Sequence, residues 1–122
     1  MKSYTAINFG KKFDKFNEYW SPKVVAEMND YQFKLAKVQG EFTWHTHSDT
    51  DEVFIVIEGV LDIVFRDGKV RLESGEMFVV PKGVEHMPVA EQECRIMLVE
   101  PKGTVNTGDT NSALTAQNDV WV

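Results

Sequence analysis

The sequence contains a single cysteine, Cys94, and has no apolar run of membrane-spanning length. One cysteine excludes an internal disulfide bond and suits a reducing compartment. The first residues, Met1 to Asn8, lack the apolar core that a secretory signal peptide needs. We therefore expect a cytoplasmic protein without a membrane partner.

Basic residues are in the minority. The chain carries 13 lysines and arginines against 19 aspartates and glutamates, which gives a net charge of −6. This balance argues against nucleic acids and anionic membrane surfaces as partners. A length of 122 residues, with 43% hydrophobic and 26% charged residues, is enough for one globular core but not for two. We expect a single domain over residues 1–122.

Helical patterns are scarce as well. Only residues 11–20 place apolar side chains, Phe13, Phe16 and Trp20, at helical spacing, which predicts one short N-terminal helix. Residues 24–100 instead form many short strand-like runs separated by turn signals. Many short strands without long helices indicate an all-β fold, either an antiparallel sandwich or a barrel.

Two further features concern the connections. Asp67-Gly68 is the strongest hairpin-turn signal in the chain. From residue 102 to residue 122 the sequence is polar and rich in turn residues, except near its end. There Trp121 stands between two valines, and we expect it to dock on its own barrel or on a second subunit.

The three histidines of the chain lie in two short stretches. His45 and His47 are two residues apart, so on a strand their side chains point to the same face. Glu52 follows a polar turn and begins an apolar strand, while His86 lies further along the chain. Two imidazoles on one strand and a carboxylate at the start of the next can converge on one metal ion, with His86 as a fourth ligand.

The first of these stretches resembles the first sequence motif of the cupin superfamily. That motif runs Gly, about five residues, His-X-His, three or four residues, Glu, six residues, Gly. Gly40 precedes His45 by four intervening residues, a small departure from the pattern. From His45 through His47 and Glu52 to Gly59 the spacing agrees in full.

The second stretch is similar to the second motif of the same superfamily, which runs Gly, five residues, Pro-X-Gly, two residues, His, three residues, Asn. Gly75, Pro81, Gly83 and His86 fit it without a gap. The final Asn of the motif is Ala90 here, and in the family that Asn is not a metal ligand. The resemblance implies a double-stranded β-helix, or jelly-roll barrel, with a core at about residues 31–101 and a polar C-terminal extension at 102–122.

The donor types restrict the metal. Three imidazoles and one carboxylate, without a thiolate, argue against a closed structural zinc site. Such a set suits one divalent transition metal ion, Fe, Mn, Ni, Co or Zn, and does not choose among them. Neutral imidazoles and one carboxylate leave a divalent site at about +1, which favours an anionic small-molecule ligand.

Asp51 is a rival to Glu52 as the carboxylate ligand. Strand alternation puts Glu52 on one face with Phe54 and puts Asp51 on the other, and Glu52 also occupies the motif position. We therefore favour Glu52 and take Phe54 as the first candidate for the wall of the metal pocket. The weaker pocket candidates are Phe78, Met87, Met97 and Arg95.

Single-domain cupins that this chain resembles include mannose-6-phosphate isomerase-like proteins and dioxygenases. The resemblance therefore implies a metal-dependent enzyme that acts on a small molecule, with a non-catalytic metal or small-ligand binding module as the alternative. The sequence contains no clear phosphate-binding cluster. We also expect a homodimer, because cupin barrels commonly pair and because four residues offer spare apolar surface: Phe13, Phe16, Trp20 and Trp121.

Overall fold

The structure is a computed structural model that describes residues 3–122. Within them it has one helix and seven strands: α1 Phe9–Phe13, β1 Lys23–Met28, β2 Tyr31–Glu41, β3 Glu52–Glu58, β4 Val60–Phe65, β5 Gly68–Glu73, β6 Met77–Val80 and β7 His86–Pro101. The predictions of an all-β fold and of a short N-terminal helix are therefore confirmed. In residues 3–122 no helix has both the length and the apolar character needed to cross a membrane.

The strands pair antiparallel throughout, in the order β1-β2-β7-β3-β6, and β4 pairs with β5 and β7. Strand β7 connects the two walls of the barrel. Its first residues pair with β4, and its second half lies between β2 and β3. This arrangement is the predicted jelly-roll barrel, and the start of β7, at His86, reaches its interior.

Gly59 separates β3 from β4 at a point where two parts of the chain come close. Its φ angle is +105°, and an added Cβ would lie 3.1 Å from the Cα of Cys94 and 3.2 Å from the carbonyl oxygen of Glu93. Since other residues rarely adopt this conformation and have no space here, glycine is required. The turn allows β3 and β4 to pair with different parts of the same long strand.

The hairpin between β4 and β5 differs slightly from the prediction. Phe65 pairs with Gly68, so the two-residue loop is Arg66-Asp67 and Gly68 already belongs to β5. The loop is thus one residue earlier than Asp67-Gly68.

Strand alternation divides the apolar residues between the two faces of the barrel wall. The buried inward-facing residues form the main core: Ala36, Val38, Phe54, Val56, Leu61, Ile63, Leu72, Val80, Ala90, Cys94, Ile96 and Leu98. A second cluster lies on the outer face, where Phe13 and Phe16 pack with Val25, Leu35 and Met97.

The N-terminal helix is shorter than predicted and lies earlier in the chain. It covers only Phe9–Phe13 and begins after Asn8, whose side chain caps it. Phe13 and Phe16 are buried against the outer face of the sheet, so they are not the spare apolar surface that the sequence suggested. Packing on the sheet, rather than helical periodicity, fixes the positions of these two side chains.

We call residues 102–122 the C-terminal strap, because they run across the barrel. At its end, the amide of Val122 donates to the carbonyl of Val24, and the amide of Val24 donates to the carbonyl of Val120. The backbone of Trp121 thus lies beside β1, while its side chain is about half exposed at 49%.

Candidate metal centre

Backbone pairing brings the first and the last of the four predicted ligands together. His45 and His86 exchange two N–H to carbonyl hydrogen bonds of 3.0 Å, and their ring centroids are 4.3 Å apart. The segment that carries His45 was expected to be a strand, but it forms only this single bridge, and β2 ends at Glu41. The extended segment after β2 therefore lies against the start of β7.

The other two predicted ligands complete the cluster. The ring of His47 lies 5.1 Å from that of His45 and 5.9 Å from that of His86. Oε1 of Glu52 is 3.2 Å from Nε2 of His47 and 3.3 Å from Nε2 of His86. All four side chains are buried, and one donor atom from each lies within 4.8 Å of the others.

Main-chain carbonyls orient two of the imidazoles. Nδ1 of His45 lies 2.9 Å from the carbonyl oxygen of Thr43, and Nδ1 of His86 lies 2.9 Å from that of Val84. Because a carbonyl can only accept, each Nδ1 carries a hydrogen, and Nε2 is the nitrogen through which the neutral ring would bind an ion. Such a contact fixes the tautomer and the ring angle of a metal-binding histidine.

Burial and the neighbouring rings keep the donors free of competing protons. Burial, together with the nearby His86, lowers the pKa of His45 to about 4. Burial alone would raise the pKa of the Glu52 carboxyl, but the contacts with the His47 and His86 rings outweigh it and lower that pKa. At neutral pH the site therefore offers a neutral imidazole at His45 and a carboxylate at Glu52.

The cluster fits a divalent ion. Nε2 of His47 is buried without a hydrogen-bond partner, since the nearby Oε1 of Glu52 is not suitably aligned, and an unpartnered buried nitrogen indicates a missing ligand. Atoms bound at about 2.1 Å to one ion are at most about 4.2 Å apart. The observed spread of 4.8 Å is therefore within a small side-chain movement of a four-ligand set.

The rival carboxylate lies elsewhere. Asp51 is exposed, and its Oδ1 accepts a 2.8 Å hydrogen bond from the amide of Lys82. Glu52 is 3% exposed and faces the histidines, as the alternation argument expected. Asp51 thus holds the turn beside the second motif and stays out of the cluster.

A small cavity lies beside the cluster, inside the barrel, with a volume of about 30 Å³. His45 and Glu52 form part of its wall, and most of the remainder is apolar: Trp20, Phe42, Phe54, Pro88, Ile96 and Leu98. The rings of Trp20 and Phe42 stack at 4.6 Å. The space holds about two water molecules, so a larger ligand would enter only if side chains of the wall moved.

Of the five predicted pocket residues, only Phe54 lines this cavity, and its ring lies 5.9 Å from that of His86 in an edge contact. Phe78 packs against the main core and the Phe65 ring, away from the cavity. Phe78 of β6 pairs with Phe54 of β3. Its side chain therefore lies beside Phe54 in the barrel wall and does not enter the site.

Three predicted pocket residues were assigned to the wrong face. Ile96 and Leu98 point inward, so Arg95 and Met97 point outward, where Met97 joins the cluster around Phe13 and Arg95 lies over the Phe13 ring at 5.2 Å. Met87 likewise alternates with the inward-facing His86 and Pro88. The β7 register decides these positions, and composition alone does not reveal it.

Sequence reasoning missed a second buried carboxylate, Glu100, and its partner Lys34. Nζ of Lys34 lies 2.9 Å from Oε1 of Glu100, and both side chains are almost completely buried. Burial raises the pKa of the Glu100 carboxyl well above its usual range, and the neighbouring Glu52 adds to the effect. Alternation along β2 and β7 is the signal that places both residues inside the barrel with Ala36, Ile96 and Leu98.

The C-terminal strap also reaches the centre, a contact that the sequence did not indicate. The amide of Asp109 donates a 2.9 Å hydrogen bond to the carbonyl of Thr46. Gly108 passes so close that an added Cβ would lie 3.2 Å from Nδ1 of His47. The strap therefore covers the segment that carries His45 and His47.

Comparisons with known proteins agree with this architecture. The family model described as "Cupin domain" matches residues 32–100. A crystal structure of a cupin-2 domain containing protein from Shewanella frigidimarina is 66% identical, covers 79% of this chain and 94% of that one, and has a TM-score of 0.78. A Neisseria meningitidis protein structure is 36% identical over 80% of this chain and all of that one, with a TM-score of 0.73.

Among curated proteins, YdbB of Bacillus subtilis strain 168 is 43% identical over 63 residues, which are 51% of this chain and 56% of that protein. The match thus spans little more than half the length of that relative. The domain match covers more than half of the present chain and includes His45, His47, Glu52 and His86. The chain belongs to the cupin domain family.

Proposed function

We propose that this protein is a metal-dependent enzyme that binds a small molecule inside its barrel, at His45, His47, Glu52 and His86. The observation that carries the proposal is the convergence of these four buried donors beside an apolar cavity. The donor set suits one divalent transition metal ion, Fe, Mn, Ni, Co or Zn. A bound ion of this kind would supply Lewis acidity or an activated oxygen ligand.

The charges around the site support an anionic or oxygen-bearing substrate. A divalent ion held by Glu52 and the neutral imidazoles would leave about +1 at the wall of the cavity. In an enclosed apolar site such a charge acts strongly on a carboxylate or an enolate-type oxygen. One donor atom from each of the four residues lies within 4.8 Å of the others, so an ion bound among them would hold a substrate oxygen at a fixed position.

The cavity restricts the substrate further. No lysine or arginine lines it in the described part of the chain, and Arg95 lies on the outer face. A phosphate group would therefore have no cationic side chain to bind it there. This argues for a small, largely apolar substrate without phosphate, handled by isomerase-like or dioxygenase-like chemistry. Mannose-6-phosphate isomerase-like proteins are thus a weaker guide to the substrate than to the fold.

One observation favours the alternative, a non-catalytic metal or small-ligand binding module. Among residues 3–122, the polar side chains that line the cavity are His45, Glu52 and Asn106, and the Asn106 amide group is already bonded to the main chain at Trp20, Leu114 and Ala116. In the described part of the chain, both groups at the cavity that could act as acid or base, His45 and Glu52, are thus proposed metal ligands. A binding module needs no further group.

A turnover screen separates the two functions. The protein is loaded with each of the five ions and offered small carboxylic acids, diketones, phenols and phosphate-free sugars, while oxygen uptake and product formation are recorded. Turnover by wild type that is lost in Glu52→Gln supports an enzyme. Tight binding of these compounds without turnover, with every ion, contradicts the enzymatic proposal and favours the binding module.

We also propose that two copies pair through the outer face of the sheet. Across β2, β7, β3 and β6 this face presents two apolar rows in register: Phe33, Val99, Val53 and Val79 in one, and Leu35, Met97, Ile55 and Met77 in the other. The N-terminal segment covers only one end of these rows, and Met77 remains 55% exposed. Exposed apolar patches of this kind mark interaction sites.

For the location of the protein, our proposal is the cytoplasm. Cys94 is unpaired, completely buried, and has its pKa raised by burial to about 11, so it is an inert core residue. A barrel that holds a free thiol in its core and relies on no disulfide suits a reducing compartment.

A further inference from the structure

We propose that Glu100, fixed by Lys34, is a positioning residue of the metal centre that holds the Glu52 carboxylate in place. This inference rests on the proposed metal function and extends it to two residues outside the ligand set.

The strand register places the two carboxylates side by side. Gln32 pairs with Glu100 across β2 and β7, and Val53 pairs with Val99 across β3 and β7. One step further along the antiparallel pair, Glu52 lies opposite Glu100 on the inward face. Two carboxyl groups directly opposite each other are costly in a sheet from which water is excluded. An ordinary barrel core would have apolar residues at these positions.

Lys34 is held too firmly to be a loosely placed counter-ion. Besides the 2.9 Å contact with Glu100, its Nζ donates 3.1 Å hydrogen bonds to the carbonyl of Thr104 and to Oδ1 of Asn118. Two hydrogen bonds and one ion pair thus hold the ammonium group from three sides. Lys34 ties Glu100 to the C-terminal strap, and the strand register places Glu100 opposite Glu52.

The carboxyl group of Glu100 has polar capacity to spare. In the described part of the chain neither of its buried oxygens has an aligned hydrogen-bond donor, although Nζ of Lys34 lies 2.9 Å from Oε1. The other two buried lysines are engaged elsewhere, because Lys23 bonds to Glu18 and Lys37 bonds to the carbonyl of Phe16. Glu100 is therefore free to support Glu52, and through Glu52 an ion bound among the histidines.

The test is a titration of the full chain with Co(II), followed by visible absorption, for wild type and Glu100→Gln. Removing a group that orients a ligand costs roughly 10–100-fold in metal affinity. We expect Glu100→Gln to bind Co(II) about 10–100-fold more weakly, with shifted d–d bands because the Glu52 carboxylate is no longer held. The matched control is Asp62→Asn, which removes a carboxylate of β4 that pairs with Arg71. This variant should leave the Co(II) affinity and the absorption bands unchanged.

A merely structural role gives a different result. Glu100→Gln would then unfold at a lower temperature but bind Co(II) with wild-type affinity and wild-type bands, and this outcome would overturn the proposal. If Glu100→Gln does not fold, Lys34→Met serves instead. It frees Glu100 while keeping the carboxylate, so the proposal expects shifted bands, and unchanged bands would refute it.

The same titration separates this inference from the proposed function. Failure of wild type and Asp62→Asn to bind Co(II) would overturn both. Binding by wild type without turnover on any substrate would count against the enzyme only, and the comparison with Glu100→Gln would still decide the role of Glu100.

Discussion

A substitution at Gly108 tests how closely the C-terminal strap is fitted to the metal centre. Gly108 has a φ angle of +58°, and an added Cβ would overlap the carbonyl oxygen of Thr46. The same Cβ would lie 2.9 Å from the carbonyl carbon of Thr46 and 3.2 Å from Nδ1 of His47. Real Cβ atoms keep at least 3.0 Å from such atoms, so either the strap or the backbone before His47 has to move.

The size of the effect can be worked from two contributions. A non-glycine residue in the left-handed region costs about 1–2 kcal/mol. Overpacking a tight contact costs about 1–3 kcal/mol more. Gly103 provides the matched control in the same strap, since its φ angle is +95° but no atom lies within 4 Å of its added Cβ. We therefore expect Gly108→Ala to lower the free energy of unfolding by about 2–5 kcal/mol and Gly103→Ala by about 1–2 kcal/mol.

Urea unfolding of both variants, in EDTA, measures the two free energies. A parallel titration with Mn(II) asks whether the displaced strap also disturbs His47, and we expect weaker binding in Gly108→Ala alone. Equal stability and equal Mn(II) affinity in the two variants would refute the close fit between strap and site.

Three other predictions follow from the same geometry. Glu52→Gln should lose most of the bound metal. Asp51→Asn should keep the metal and change the free energy of unfolding by no more than about 0.5 kcal/mol. The reverse result would mean that the register of β3 is wrong by one residue. In EDTA, the free energy of unfolding of wild type relative to His45→Gln should decrease as pH falls from 6.5 to about 4, because His45 titrates at about 4 in the folded chain and at 6.5 when unfolded. The loss is at most roughly 3 kcal/mol, and urea unfolding across that range would detect it. Finally, Ile55→Asp or Met77→Asp should convert a dimer to a monomer in sedimentation experiments; a wild-type monomer at micromolar concentration would reject the dimer.

The all-β class and the convergence of the donors could be predicted from local spacing, whereas the jelly-roll barrel was implied by the resemblance to the two cupin motifs. His45 and His47 share a face by alternation, and the turn residues around Glu52 and His86 mark where strands begin. Glu52 and Asp51 could be told apart for the same reason, since one step along a strand reverses the direction of a side chain.

The rest depends on pairing between distant parts of the chain. Whether Met97 and Arg95 point inward is decided by the register of β7 against β2 and β3, after the irregularity between Val38 and Gly40. The opposition of Glu100 and Glu52 has the same origin. The helix was predicted too far along the chain because Phe13 and Phe16 pack on the surface of the sheet. In so short a segment, tertiary packing overrides helical spacing.

Single-ligand removal, followed by elemental analysis, tests the central claim most directly. Wild type and His86→Ala are purified without an affinity tag, loaded with Mn(II) or Fe(II), desalted, and analysed for metal per chain. The four-ligand centre predicts about one ion per wild-type chain and a sharp loss in His86→Ala, because the remaining three donors form a poorer site. Full occupancy in His86→Ala, or wild type that retains no metal after loading, would contradict it.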